Sequence, residues 1–248
     1  MLFRRFGQEG RPVIILLHGG GLSDWSLTEV VALLSQQYLV ITPIIDGHGE
    51  DGKTTFLSIE DSARKLINYI DTECNGRVEV IGGLSLGAQI TVEVLSQRSD
   101  ITEYAVIESA LVYPIRGTKT LAVPTYKLCY GLISQRWFAK MQAKTLMVPE
   151  NRFEQYFMDS CRTSRESLIN ITLSNGTYRI KEGIRNTGAK ALILVGGKEL
   201  GIMRRSADKL KEYIPENELY VAEGMKHGEL SLMHPDQYVK LLTDFMEQ

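Results

Sequence analysis

Short apolar runs rich in valine and isoleucine alternate along the chain with longer stretches whose apolar residues recur at helical spacing. A strand covered on both faces reads as a near-continuous apolar run, and the helix that covers it as a one-sided stripe. The alternation therefore predicts a mostly parallel sheet with helices on both faces. The runs place strands at 13–17, 39–45, 77–82, 104–109, 190–196 and 218–222. One helix is expected over Leu27 to Gln36, where Ser26 and Glu29 have capping-box spacing. Another follows Ser58, with Asp61 three residues on and Ala63, Leu66, Ile67 and Ile70 along one face. The segments 86–97, 203–213 and 236–247 also carry the helical period.

Residues 112–188 break the alternation, separating two strand candidates by far more than a crossover needs. They are expected to form an inserted helical cap on a core made of 1–111 and 189–248. The stretch holds nine of the chain's 20 aromatics, and its 12 Lys/Arg face only 5 Asp/Glu. That surplus of seven leaves the rest of the chain nine charges negative, given a net charge of −2. Most of the aromatics are expected to pack the cap itself. Trp137 and Phe138 are candidates for an apolar substrate wall, and the basic residues for either an anion-attracting surface or a solvated outer face.

At 248 residues, 44% apolar and 23% charged, the chain fits one globular domain with an insertion. The small net charge argues against nucleic acid or an anionic membrane as a partner of the molecule as a whole. Cys74, Cys129 and Cys161 are odd in number and lack C-x-x-C spacing, so neither a disulfide framework nor a zinc site is indicated. Reduced, buried thiols are expected. Val13–Leu17 is too short for a secretory signal, and no apolar run reaches 18 residues. A cytoplasmic enzyme with no stable membrane anchor is the expectation.

Four segments carry chemistry. Gly83-Leu84-Ser85-Leu86-Gly87 stands between a predicted strand and a predicted helix, a tight turn that pushes one hydroxyl out above the sheet edge. The Leu86 N–H faces the same spot. Leu17-His18-Gly19-Gly20-Gly21 runs from a strand into a glycine turn, offering the Gly20 N–H as a second oxyanion donor, with His18 structural. Gly197-Lys198-Glu199 ends a buried strand in a carboxylate, and Glu108 is a rival acid on the neighbouring strand. Gly224-Met225-Lys226-His227 places an imidazole on a loop before the last helix. Serine is a poor nucleophile at neutral pH and needs such a base, which in turn needs an acid to hold its tautomer.

Taken in this order, the four motifs resemble those of α/β-hydrolase-fold serine hydrolases of the esterase and lipase type. The resemblance implies a Ser85–Glu199–His227 triad, an oxyanion hole at Leu86 and Gly20, a cap inserted after the sixth strand, a small-molecule ester substrate and neither cofactor nor metal. Departures from the pattern are glutamate in place of aspartate as the acid, an altered Pro43–Gly49 segment, and a first hairpin reduced to Leu2–Phe6 or lost. Relatives of the fold also include thioesterases and C–C hydrolases or lyases, here envisaged with anionic substrates. A non-catalytic ligand-binding protein is the alternative of another class. Gly47–Thr54 also satisfies the phosphate-loop pattern of nucleotide hydrolases. Glu50 and Asp51 would face phosphate there and the helix begins too late, so a chance match is the better reading.

Overall fold

The computed structural model describes all 248 residues. Seven strands form one sheet: β1 (Leu2–Phe6), β2 (Val13–Leu17), β3 (Leu39–Ile44), β4 (Val78–Leu84), β5 (Thr102–Glu108), β6 (Lys190–Gly196) and β7 (Asn217–Ala222). Their order across the sheet is β1-β3-β2-β4-β5-β6-β7, parallel throughout except for β1, which pairs antiparallel with β3. Ten α-helices accompany them: α1 (Thr28–Leu34), α2 (Ile59–Glu73), α3 (Leu86–Gln97), α4 (Thr118–Cys129), α5 (Arg136–Thr145), α6 (Phe153–Arg162), α7 (Arg165–Thr177), α8 (Gly201–Tyr213), α9 (Glu229–Met233) and α10 (Pro235–Met246).

The strands are apolar on both faces because both faces are covered. Ile15, Leu17, Ile81, Ile107 and Ile193 point into the core shared with α2, α3 and α8. Their alternates Ile14, Leu16, Val80, Val106 and Leu192 pack with residues of α1 and α10. Helix α2 starts where its sequence says it should: the Ser58 hydroxyl accepts from the Asp61 amide at 3.1 Å, satisfying one of the helix's free N–H groups.

Four features differ from expectation. The capping box at Ser26 does not form, since Asp24–Leu27 is a 3-10 turn and the Ser26 hydroxyl donates to the Ser23 carbonyl at 2.7 Å. The long helix expected over 27–36 is therefore shortened to α1. The inserted helices α4–α7 follow the fifth strand, not the sixth, because one antiparallel strand, Leu2–Phe6, stands where a hairpin is usual. The three cysteines are free but not buried, with Cys161 exposed and the other two half-buried.

Both ends of the insertion are tied to one helix. The buried Gln89 amide on α3 donates to the Leu111 carbonyl at 2.7 Å and to the Asn175 carbonyl at 3.1 Å. Farther along α3, buried Glu93 accepts from the Tyr178 hydroxyl at 3.0 Å and from Lys181.

Replacing Ser58 by alanine should remove the α2 cap and lower stability by about 1 kcal/mol, or about 2–4 °C in Tm for a chain of this size. Thermal denaturation followed by circular dichroism checks this; an unchanged Tm would show that water satisfies the freed amide.

Candidate active site

The parallel strands end along one edge, and the singled-out residues sit there. Ser85 lies between β4 and α3 with φ 53° and ψ −108°, a conformation that a side-chain-bearing residue adopts only under constraint. Two hydrogen bonds hold it, from the Ser85 amide to the Glu108 carbonyl and from the Gln89 amide to the Ser85 carbonyl, each 2.9 Å. The flanking glycines make the turn sterically possible. A Cβ on Gly83 would collide with the Gly87 carbonyl group, and one on Gly87 with the carbonyl oxygens of Leu17 and His18.

The Leu86 amide is the first of α3 and so has no intrahelical acceptor. The Gly20 amide donates to no protein acceptor, and a Cβ built on Gly20 would stand 3.6 Å from that of Leu86. Two free donors therefore lie on neighbouring residues beside Ser85. His18 keeps the glycine turn in place. It bonds the Gly19 carbonyl through Nδ1 at 2.9 Å and accepts the Ile45 amide at Nε2 at 3.1 Å. Burial, with His48 adding to it, drives the His18 pKa down to about 3, so this imidazole stays neutral.

Glu199 is fully enclosed and saturated with donors. Its Oε1 accepts from the Gly196 amide and the Ser109 hydroxyl, both at 2.7 Å, and its Oε2 from His227 Nδ1 at 2.6 Å. Burial alone would push this carboxyl up, but the hydrogen bonds and charge of His227, with Ser109 and the Gly196 amide, outweigh it and hold the pKa below the ordinary range. The rival acid stands elsewhere. Glu108 is buried at the end of β5 and accepts from the Ser231 amide at 3.3 Å, making no hydrogen bond to His227. Burial pushes its carboxyl up to about 7.

His227 is half-exposed on the loop after β7, which packs against the end of β4; a Cβ on Gly228 would lie 2.8 Å from the Leu84 side chain. With Nδ1 directed at Glu199, Nε2 carries the free lone pair. No hydrogen bond joins Ser85 Oγ to His227 in this geometry. Thus the acid and base are in contact, whereas the hydroxyl stands apart on the adjoining turn.

Ser85 opens into a cavity of about 710 Å³ walled by Gly20, Leu22 and residues of α4–α7. Phe138 lines it and Trp137 does not: consecutive residues on a helix diverge by about 100°, and Trp137 faces solvent. No Lys or Arg lines the cavity, so the basic residues of the insertion lie outside it. Its one carboxylate is Asp159, which accepts from Trp25 Nε1 at 2.9 Å. His48 also lines it, with Nε2 unpartnered. The phosphate-loop stretch around His48 is compact: Glu50 pairs with Arg4 at 2.7 Å, Asp51 is buried, and α2 begins only at Ile59. A cradle of amides for phosphate has no place there.

Ser109 is the site residue that sequence reasoning missed. It carries a positive φ of 57° and is recognisable only as the residue following Glu108 at a strand end.

The Alpha/beta hydrolase family model matches residues 14–241, which spans every one of these elements except β1, the first residue of β2 and the end of α10. The chain belongs to the alpha/beta hydrolase family. Among relatives, this alpha/beta hydrolase is 24% identical over 139 residues to the uncharacterized hydrolase YugF of Bacillus subtilis (strain 168), an alignment covering 56% of this chain and 51% of YugF. The alignments cover between 29% and 51% of the length of the curated relatives it matches. A carboxylesterase structure from Nitrososphaera gargenis superposes with a TM-score of 0.79 at 20% identity, covering 99% of this chain and 93% of that one. The enol-lactonase from Burkholderia xenovorans LB400 does so with a TM-score of 0.79 at 16% identity, covering 100% and 96%. These likenesses establish the fold.

Glu108 provides a test of the site's electrostatics. With its pKa raised from the ordinary 4.5 to about 7, the folded protein keeps a proton that the unfolded chain has released. Stability therefore falls as pH rises through this window, by on the order of 3 kcal/mol. The Glu108→Gln variant should gain Tm relative to the parent between about pH 5 and pH 8. A Tm difference independent of pH would refute the assignment.

Proposed function

We propose that the protein is a serine hydrolase that cleaves a neutral carboxylic ester or thioester through an acyl-enzyme. The observation that carries the reading is the 2.6 Å contact between Glu199 and His227 Nδ1 at the same sheet edge as the constrained Ser85. Substrate in the cavity presents its carbonyl to Ser85 Oγ, with the carbonyl oxygen toward the Gly20 and Leu86 amides. His227 Nε2 takes the hydroxyl proton as Oγ bonds to the carbonyl carbon. The hydrogen bond between these two residues is one that forms with substrate bound, as catalytic contacts often tighten only in the complex. The imidazolium is stabilised by the Glu199 carboxylate and gives its proton to the departing alcohol or thiol.

The two amides act on the charge that develops in the tetrahedral intermediate, each worth on the order of 3 kcal/mol of barrier. His227, neutral again, takes a proton from water as the water oxygen attacks the acyl carbon, then gives that proton to Ser85 Oγ as the acyl carbon–Oγ bond breaks, releasing the acid and restoring the Ser85 hydroxyl. Phe138, Leu146, Ile133 and Ile171 supply an apolar wall for an acyl chain. The absence of cationic side chains from the cavity, and the presence of Asp159, favour a neutral ester over the anionic substrates of a C–C hydrolase.

Ser85→Ala should reduce hydrolysis of short p-nitrophenyl esters by about a thousandfold or more, and a fluorophosphonate should label Ser85 in the parent. Comparable rates in parent and variant, or labelling at another residue, would overturn the mechanism. Glu199→Ala should cost kcat about a hundredfold or more, and Glu108→Gln far less. The reverse order would make Glu108 the acid.

A further inference from the structure

Twelve large apolar side chains are exposed on the protein, and half of them, Tyr113, Ile115, Leu121, Leu128, Trp137 and Met141, come from one stretch of 29 residues. The same region is purely cationic. From Ser109 to Pro149 the chain carries Arg116, Lys119, Lys127, Arg136, Lys140 and Lys144 and no Asp or Glu. Only Arg136 among them is ion-paired, with Glu154.

Helix geometry sets these side chains beside the cavity. At about 100° per residue, Leu128 (85% exposed) lies about 20° from Leu121 (62%) around α4, and cavity-lining Thr125 lies about 40° from Leu121 on the other side. Around α5, Trp137 (62% exposed) lies about 40° from Met141, which is both exposed and part of the cavity wall. Ile115 has the same double character. Lys144 and Lys140 follow on the solvent side of Trp137. The cavity mouth is thus bordered by apolar side chains, with unpaired cations beyond them.

We propose that this face docks on an anionic lipid bilayer and draws from it the ester that Ser85 cleaves; the second half rests on the hydrolase reading above. Exposed leucines and a tryptophan mixed with lysines are the side chains that settle at a membrane–water boundary. The cations lie outside the cavity, so they serve a surface and not the reacting ester. The excess of seven positive charges on 112–188, against nine negative on the rest, turns the mouth toward an anionic surface and the body away from it. The net charge of −2 conceals this asymmetry. No helix is long and apolar enough to cross a membrane, so the contact is a surface one. The acidic body of a second copy is the competing occupant.

Trp25 is buried and Trp137 exposed, and they are the only tryptophans, so emission changes on docking report Trp137. The Ser85→Ala protein, which separates docking from turnover, is titrated with phosphatidylglycerol/phosphatidylcholine vesicles and with phosphatidylcholine vesicles. The expected result is a saturable blue shift and co-sedimentation with the anionic vesicles only, weakening as salt rises. Lys140→Gln with Lys144→Gln should weaken binding about thirtyfold, at about 1 kcal/mol per lysine. Leu121→Ser with Leu128→Ser should also weaken it, the fold of each variant being verified by circular dichroism and melting. No saturable binding, or equal binding to both vesicle types, overturns the proposal. A blue shift that grows with protein concentration without lipid, together with a doubled mass, assigns the face to a second copy instead. For the delivery half, the parent should hydrolyse an ester faster in anionic vesicles than dispersed in buffer, and the leucine pair should reduce that ratio. Docking with no turnover of any ester would defeat the hydrolase reading and leave the docking surface standing.

Discussion

The constraint on which the rest of the structure depends is the left-handed backbone at Ser85. A residue with a side chain is held there because the chain on either side is clamped: Gly83 and Gly87 are pressed together, the amide before the turn is bonded to β5, and the carbonyl after it to α3. The turn is affordable only with a large apolar sheet beneath it, and the buried runs 14–17 of β2, 80–84 of β4, 105–108 of β5 and 191–195 of β6 provide that support. The Gly19–Gly21 loop and the Glu199 turn then lie along the same edge as Ser85 because the parallel strands all end there.

Electrostatics at that edge separates two glutamates with buried side chains, Glu108 at the end of β5 and Glu199 in the turn after β6. Glu199 has three donors and stays ionised; Glu108 has one and retains its proton up to near neutrality. Both depth and neighbours contribute, since Glu108 is the more deeply buried and has fewer donors, and the result is a single ionised carboxylate against the imidazole.

Much of this was readable from the chain. The helix after Ser85 was bounded to the residue because Gly83 and Gly87 mark its start and the polar residues Gln97 to Asp100 its end. Glu199 and His227 were locatable because each follows an apolar run that could only be a strand. The Ser26 cap was misread because Ser23 competes for the same local geometry, a matter of one hydrogen bond. Ser109 was illegible because its partner lies 90 residues away, across a pairing of β5 with β6 that no local pattern encodes. The choice between Trp137 and Phe138 was equally hidden: adjacent aromatics look alike until the helix they share is docked.

The Gln89 side chain, bonded to carbonyls at both ends of the inserted segment, sits one helical turn beyond Ser85. One side chain thereby fixes where the inserted segment leaves the sheet and where it returns, both measured from the same turn of α3.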